Sequence, residues 1–264
     1  MSISIKKKVK AILGLTAGVT GVYAREFNEK MLIVAFHRVN DDLAEDGLTC
    51  SSKRFRRFCG FFKEHFRIVP LSTQVKAFQE GTSMGGTLSI TFDDGYRDNC
   101  DVAAPILRQF GLPATFFVTS GFIGSTTVAP WDHGLAATPG WMSWDQVRSL
   151  REQGFEIGAH TDTHIDMGSA APEAVKAELD TCQRKLQREL GQPATLFAYP
   201  FGGRDNISSV SLNLVREAGF VCCLSCWGGV NSPVADPFHL NRIGIGEWFS
   251  EPHQFGFELV AGRA

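Results

Sequence analysis

A mostly parallel α/β fold is predicted for this chain, and three observations predict it. Short apolar runs alternate with amphipathic stretches along nearly the whole sequence. Many amphipathic stretches stop at a glycine and hand over to the next apolar run, as in "QRELGQPATLFAYP". Several apolar runs are continuous rather than alternating, which suits strands covered on both faces. The 264 residues suffice for one large domain or two small ones.

The elements follow in order. "MLIVAFHRV", 31–39, reads as a buried strand, apolar until His37 and Arg38. "SSKRFRRFCGFFKEHF", 51–66, has aromatics at helical spacing with Ser51 or Ser52 as cap. "FRIVPL" is a short strand, and "STQVKAFQEG" a helix starting at Ser72 or Thr73. "TLSITFDDG" is a second buried strand, "NCDVAAPILRQFG" a helix and "PATFFVTS" a third strand. A loop spans 121–142. "SWDQVRSLREQG" is a helix capped by Ser143, "FEIGAHT" a fourth strand and "APEAVKAELDTCQRKLQRELG" a long amphipathic helix. "PATLFAYPFG" is a fifth strand, "SSVSLNLVREAG" a helix, "FVCCLSC" a sixth strand and "FHLNRIGI" a late one. About seven strands suit either an open doubly wound sheet or a closed barrel. In both, polar residues at strand C-terminal ends gather on one face: His37, Asp93, Asp94, His160 and the residues after Pro200.

Hydrophobic residues make up 44%, charged residues 20%, and the net charge is -2. No basic footprint of a nucleic-acid binder is present. The seven cysteines are odd in number and are expected to be mostly reduced and buried. "CCLSC", 222–226, lacks the second pair that a zinc knuckle needs and reads better as a buried strand. Residues 1–30 form a basic, then weakly apolar segment. Three readings stay open for it: a signal peptide ending at Ala24, a membrane-surface helix with a basic face, or a leading helix of the domain.

Chemistry concentrates in three motifs. In "ITFDDGY" an apolar strand meets two adjacent carboxylates, Asp93 and Asp94. Like charges side by side at a buried strand end are costly; the plain alternative is a solvated turn. "GAHTDTH" follows another strand and separates His160 from His164 by three residues. Two imidazoles plus a carboxylate from another strand make a three-ligand site for a divalent ion. Zn²⁺ suits that set, and other first-row metals such as Co²⁺, Ni²⁺ or Mn²⁺ would accept it. In "FAYPFGG" Pro200, Gly202 and Gly203 force a tight turn whose backbone N–H groups can point into the site.

In combination and order, "TFDDG", "HTDTH" and "YPFG" resemble the first three motifs of the polysaccharide deacetylases, the NodB homology domain of carbohydrate esterase family four. The resemblance covers roughly residues 30–245. It implies a distorted (β/α)7-type barrel of mostly parallel strands, with residues 31–264 as the catalytic domain. It also implies metal-dependent removal of N-acetyl groups from N-acetylhexosamine units of a polysaccharide. Carried over, Asp94, His160 and His164 are the metal ligands, Asp93 is the general base, and the Phe201 N–H beside Pro200 helps bind the oxyanion. The family's third motif commonly opens with an arginine that orients the base. Ala198 stands there, and Arg242 in "LNRIGI" is the candidate replacement. No Leu-x-x-His motif for the catalytic acid follows residue 205. "AFHRV" instead resembles the "YHRV"-type opening of the exopolysaccharide and poly-N-acetylglucosamine deacetylase branch, which implies His37 as general acid. Trp131 and Trp141 are candidates for stacking on sugar rings, or anchors of the 121–142 loop. The expected partner is an acetylated polysaccharide or oligosaccharide, and the expected location is the cell envelope, membrane-associated or exported, in preference to the cytoplasm. The alternatives are an O-deacetylase, a deformylase of a lipid-linked sugar, and a catalytically weak glycan-binding component of polysaccharide assembly.

Overall fold

The computed structural model describes residues 5–262; residues 1–4 of the basic N-terminal segment, and 263–264, lie outside the described residues. In chain order the elements are α1 (Ile5–Val19), α2 (Val22–Glu26), β1 (Met31–Phe36), β2 (Arg38–Val39), β3 (Thr49–Cys50), α3 (Ser52–His65), β4 (Arg67–Ile68), α4 (Leu71–Glu80) and β5 (Thr87–Phe92). They continue as α5 (Ala104–Phe110), β6 (Thr115–Val118), α6 (Trp144–Glu152), β7 (Glu156–Ala159), α7 (Pro172–Leu190), α8 (Ser209–Glu217), β8 (Ile243–Gly244) and α9 (Pro252–Val260).

The parallel order β7-β6-β5-β1-β8 forms the main sheet, with β4 joined to the start of β5. Parallel bridges continue it from Ala159 to Phe197, from Ala198 to Leu224 and from Leu224 to Leu240. The chain then runs from Leu240 into β8, which pairs with β1, so the ring closes with seven staves. Its last three staves are less regular than the runs at 193–202, 220–226 and 238–245 suggest. Hydrogen bonds such as Tyr199 N to Leu224 O (3.0 Å) and Ser225 N to Leu240 O (2.9 Å) hold them without a continuous ladder. Pro193 and Pro200 donate nothing to one, and Pro237 only accepts.

Other departures have local causes. The strand expected over 31–39 breaks at His37. Its carbonyl is taken by Asn99 Nδ2 (2.7 Å), and Arg38 N turns to Leu48 O (2.9 Å), so β2 pairs with β3 in a separate small sheet. The helix expected from residue 99 begins as a widened π turn, Asn99–Ala103, because Pro105 supplies no N–H where α5 starts. α4 begins at Leu71, capped by Glu156 of β7, which accepts from Leu71 N (2.9 Å) and Ser72 N (3.2 Å). Ser51 and Ser143 cap α3 and α6.

Met31, Ile33, Phe117, Leu224 and Leu240 pack inside the ring, and a layer of phenylalanines fills the space between the strands and the helices around them. Phe92 stacks on Phe36 with centroids 5.5 Å apart and on Phe116 at 4.9 Å, and Phe55 closes on its edge at 5.6 Å. All seven cysteines are free, and five of them are buried. Phe92→Ala is expected to lower unfolding stability by about 3–5 kcal/mol, read as a fall in the urea midpoint at unchanged slope.

Candidate metal centre and active site

β1 and β5 run in register with Phe36 opposite Phe92. The residues that follow them, His37 and Asp93, therefore emerge side by side at the C-terminal mouth. Asp93 N donates to Phe36 O (3.0 Å). Asp94 adopts a left-handed backbone, φ 72°. In a pleated strand consecutive side chains point to opposite faces; the left-handed turn breaks that alternation, and Asp93 and Asp94 both line one cavity of about 530 Å³. His37, His160, His164, Trp131 and Phe201 line it too.

The two carboxylates find different partners. Arg242 meets Asp93 in a fork, Nη1 to Oδ1 and Nη2 to Oδ2, each 2.7 Å. Its guanidinium is fully buried, donates through Nε to Ser225 O (2.9 Å) and through Nη1 to Thr91 Oγ1 (3.2 Å), and lies over the Phe117 ring. Burial alone would raise the Asp93 pKa, but Arg242 and then His160 pull it below the ordinary carboxylate value. Asp94 Oδ1 lies 3.4 Å from His160 Nε2 and 3.4 Å from His164 Nε2. Against the same cost of burial, the two imidazoles hold Asp94 well below the usual range. For His160, burial lowers the pKa, and Asp93 and Asp94 outweigh it. For His37, burial prevails over both carboxylates and the imidazole pKa falls.

The donor set fits a divalent cation. One atom from each of Asp94, His160 and His164 lies within 4.8 Å of the others, and all three residues are buried. Asp94 Oδ1 is buried without a hydrogen-bond partner, a cost that a cation in contact with it would remove. His160 Nδ1 sits 2.8 Å from Ala198 O; as a donor there it leaves Nε2 its lone pair toward Asp94. Ala198 thus contributes a carbonyl where the family pattern has an arginine side chain.

Residues that the sequence motifs did not mark hold these groups in place. Glu178 on α7 accepts from Asp162 N (2.8 Å), Thr163 N (2.7 Å) and Thr163 Oγ1 (2.7 Å), and Thr161 Oγ1 accepts from His164 N (3.0 Å). Asn99 holds the His37 carbonyl, while Asp98 takes Val39 N (3.1 Å). Burial pushes the Asp98 carboxyl up to about 6. A helix-borne glutamate at this distance from its target gives no sequence signal.

The "YPFG" turn places Phe201 in a left-handed conformation, φ 61°, closed by Gly202 N to Pro200 O (2.6 Å). Pro200 itself is buried beneath the turn and does not line the cavity. Trp131 stands over His164 with centroids 4.4 Å apart, and its Nε1 donates to Tyr96 Oη (2.7 Å). Trp141 faces elsewhere. It is buried between Tyr96 and Phe122, 4.6 Å from each ring, and donates to Thr127 O (2.7 Å). It anchors the loop, and no sugar can reach its faces. Trp227 and Trp248, neither singled out from the motifs, line the cavity with part of each ring exposed.

A closed parallel barrel with a buried Asp-His-His set and an arginine-clamped carboxylate at its C-terminal mouth defines a barrel hydrolase with a candidate divalent-metal centre. The polysaccharide deacetylase family model matches residues 80–223, more than half of the 264 residues, and the chain belongs to that family of deacetylase hydrolases. The YxkH protein of Bacillus subtilis (strain 168) is 22% identical over 218 residues, which cover 82% of this chain and 71% of that one. Peptidoglycan-N-acetylmuramic acid deacetylase PdaA of the same organism is 22% identical over 125 residues, 47% of this chain and 41% of its own. Among solved structures, Streptococcus pyogenes deacetylase PplD shares the fold with a TM-score of 0.73 at 21% identity, over 86% of this chain and 96% of that one. IcaB from Ammonifex degensii does so with a TM-score of 0.73 at 20% identity, over 89% and 98%.

Elemental analysis of His160→Ala is expected to find the divalent metal lost. Glu178→Ala is expected to retain the site but weaken metal affinity by about 10–100-fold, as loss of a loop-orienting partner does. Arg242→Ala leaves Asp93 buried and unpaired, and is expected to cost about 3–5 kcal/mol at pH 7. Because the folded Asp93 pKa is depressed, its pair stabilises the fold above the unfolded value near pH 4 and that stabilisation is lost below it. Denaturant midpoints of the parent and Arg242→Ala are therefore expected to converge as the pH falls below about 4.

Proposed function

We propose that the protein is a metal-dependent hydrolase that removes N-acetyl groups from N-acetylhexosamine units of an exopolysaccharide or other cell-envelope glycan, releasing acetate. The division of labour between adjacent carboxylates carries this reading: Asp93 is clamped by Arg242 while Asp94 faces two imidazoles, in one cavity with His37. The name of PdaA, a peptidoglycan-N-acetylmuramic acid deacetylase, supports an N-acetylated glycan as substrate.

A divalent cation held by Asp94, His160 and His164 would polarise the acetyl carbonyl and lower the pKa of water toward about 7, with Zn²⁺ the first choice for two nitrogens and one oxygen and Co²⁺, Ni²⁺ or Mn²⁺ as alternatives. The residues of the chain do the rest. Asp93 accepts the proton of the attacking water, and Arg242 keeps that carboxylate ionised and aimed. The Phe201 N–H, presented by the left-handed turn, donates to the oxygen that takes up negative charge. An amide nitrogen leaves poorly without a proton, and His37, which lines the same cavity as Asp93, supplies it as the C–N bond breaks. Free amine and acetate result. Trp131, Trp227 and Trp248 offer ring faces to the sugars.

The test is acetate release from N-acetylglucosamine oligomers by the protein as isolated, after chelation, and after return of Zn²⁺ or Co²⁺. Release that chelation abolishes and metal restores is expected. Asp93→Asn and His37→Phe are each expected to keep the metal and lose about 10²–10⁴-fold in kcat. Full turnover by Asp93→Asn with metal bound would refute the base assignment. No release from any N-acetylated oligomer, with release from an O-acetylated one, would move the reading to an O-deacetylase.

A further inference from the structure

Helix α1 is packed the reverse of an ordinary surface helix. Its inward face carries small residues. Gly14 is buried against α9, and a Cβ built there would come within 1.7 Å of His253 O. One at Gly18 would come within 2.9 Å of His65 Cε1. Tyr23 Oη donates to Gly14 O (2.6 Å), and Lys10 pairs with Glu258 of α9. This close approach allows only one face of α1 to point inward. The large apolar residues are consequently outside: Ile5 is 79% exposed, Ile12 64% and Val19 81%. With Val9 they follow helical spacing in one stripe, and Leu13 and Leu15 widen it. A stripe of this kind in water exposes apolar area with nothing gained.

The charge beside that stripe is one-signed. Lys6, Lys7, Lys8 and Lys10 crowd the first turns of α1, which contains no acidic residue, although the whole chain carries a net charge of -2. Cations at a helix N-terminus oppose the helix dipole, so an anionic partner is needed to offset them. Lys7 Nζ is used on Glu247 O (3.2 Å) and Lys10 on Glu258. Lys6 and Lys8 are exposed and flank the stripe, without an ion pair among the described residues. An apolar stripe bordered by lysines is complementary to a surface with an apolar interior and an anionic skin. No described helix is long and apolar enough to cross a membrane.

We infer that α1 is a membrane-surface helix that seats the protein on an anionic lipid bilayer, with Ile5, Val9, Ile12 and Val19 inserted and Lys6 and Lys8 on lipid phosphates. The contact has a consequence for the cavity. Lys7 ties the first turns of α1 to Glu247, and the next residue, Trp248, lines the cavity. The cavity rim is thereby held close to the bilayer, where a glycan being assembled or displayed at the membrane would be met. The inference stands apart from the deacetylase reading, since it uses no residue of the metal centre.

The full chain is sedimented with vesicles of phosphatidylcholine alone, and of phosphatidylcholine mixed with phosphatidylglycerol. Binding to the mixed vesicles, roughly tenfold or more tighter than to phosphatidylcholine alone and weakened by salt, is expected. Ile12→Glu with Val19→Glu is expected to abolish it. Lys6→Glu with Lys8→Glu is expected to remove the preference for anionic lipid. Circular dichroism and acetate release from soluble oligomers are expected to stay unchanged in both variants, which separates this result from failure of the catalytic reading. A parent protein that ignores both vesicle types, or binding that the Ile12/Val19 variant retains, would overturn the inference. A parent that is dimeric, split to monomers by Ile12→Glu and Val19→Glu, and indifferent to vesicles would overturn it in favour of a second copy on this face.

Discussion

Two buried carboxylates on consecutive residues need positive charge, and the rest of the site is arranged around that requirement. Asp93 and Asp94 both lie almost wholly out of water at the end of β5. Neither is stable there as an isolated anion. Arg242 answers the first with a two-pronged guanidinium that makes further bonds to Ser225 O and Thr91 Oγ1. The second is left facing imidazole nitrogens with an unpaired oxygen, an arrangement that suits a cation. One carboxylate is thereby kept as a fixed anion, and its neighbour stays open toward the two imidazoles. Interchanging them would leave the guanidinium against the imidazoles.

The barrel makes that arrangement available. Parallel pairing puts every strand C-terminus at one mouth, and the β1–β5 register sets His37 beside Asp93. Phe36, Phe92 and Phe116 back these strands from the helix side, and Phe117 with Leu224 and Leu240 packs the ring from within. Closure of the ring through β8 brings Arg242 against Asp93.

Backbone strain is confined to the same place. Among the described residues, the non-glycine positions with left-handed backbone are Asp94, Thr161, His164 and Phe201, with φ between 61° and 72°. Each such conformation costs of order 1 kcal/mol or more and persists only where the surroundings enforce it. Here Glu178 on three donors of the 162–163 turn, Thr161 on His164 N and the Pro200–Gly202 turn do so. The strain turns side chains into the cavity that regular strands would point elsewhere.

Much of this was legible in the chain itself. The alternation of apolar and amphipathic segments determined the parallel α/β class, because period and continuity of burial are local properties. "TFDDG", "HTDTH" and "YPFG" marked the candidate metal set and the turn, because each is a short run whose residues stay neighbours after folding. Arg242 was only a candidate, for it stands 149 residues from Asp93 and meets it through ring closure alone. Trp131 and Trp141 looked alike in one loop, yet the loop's path put one ring over His164 and shut the other between Tyr96 and Phe122. Glu178, Trp227 and Trp248 carried no signal, since a residue's reach across a cavity is absent from its neighbours in sequence. Local pattern decided which elements form and which short motifs bear charge; only the packed barrel decided which charge stands opposite which, because that depends on distances between staves far apart in the chain.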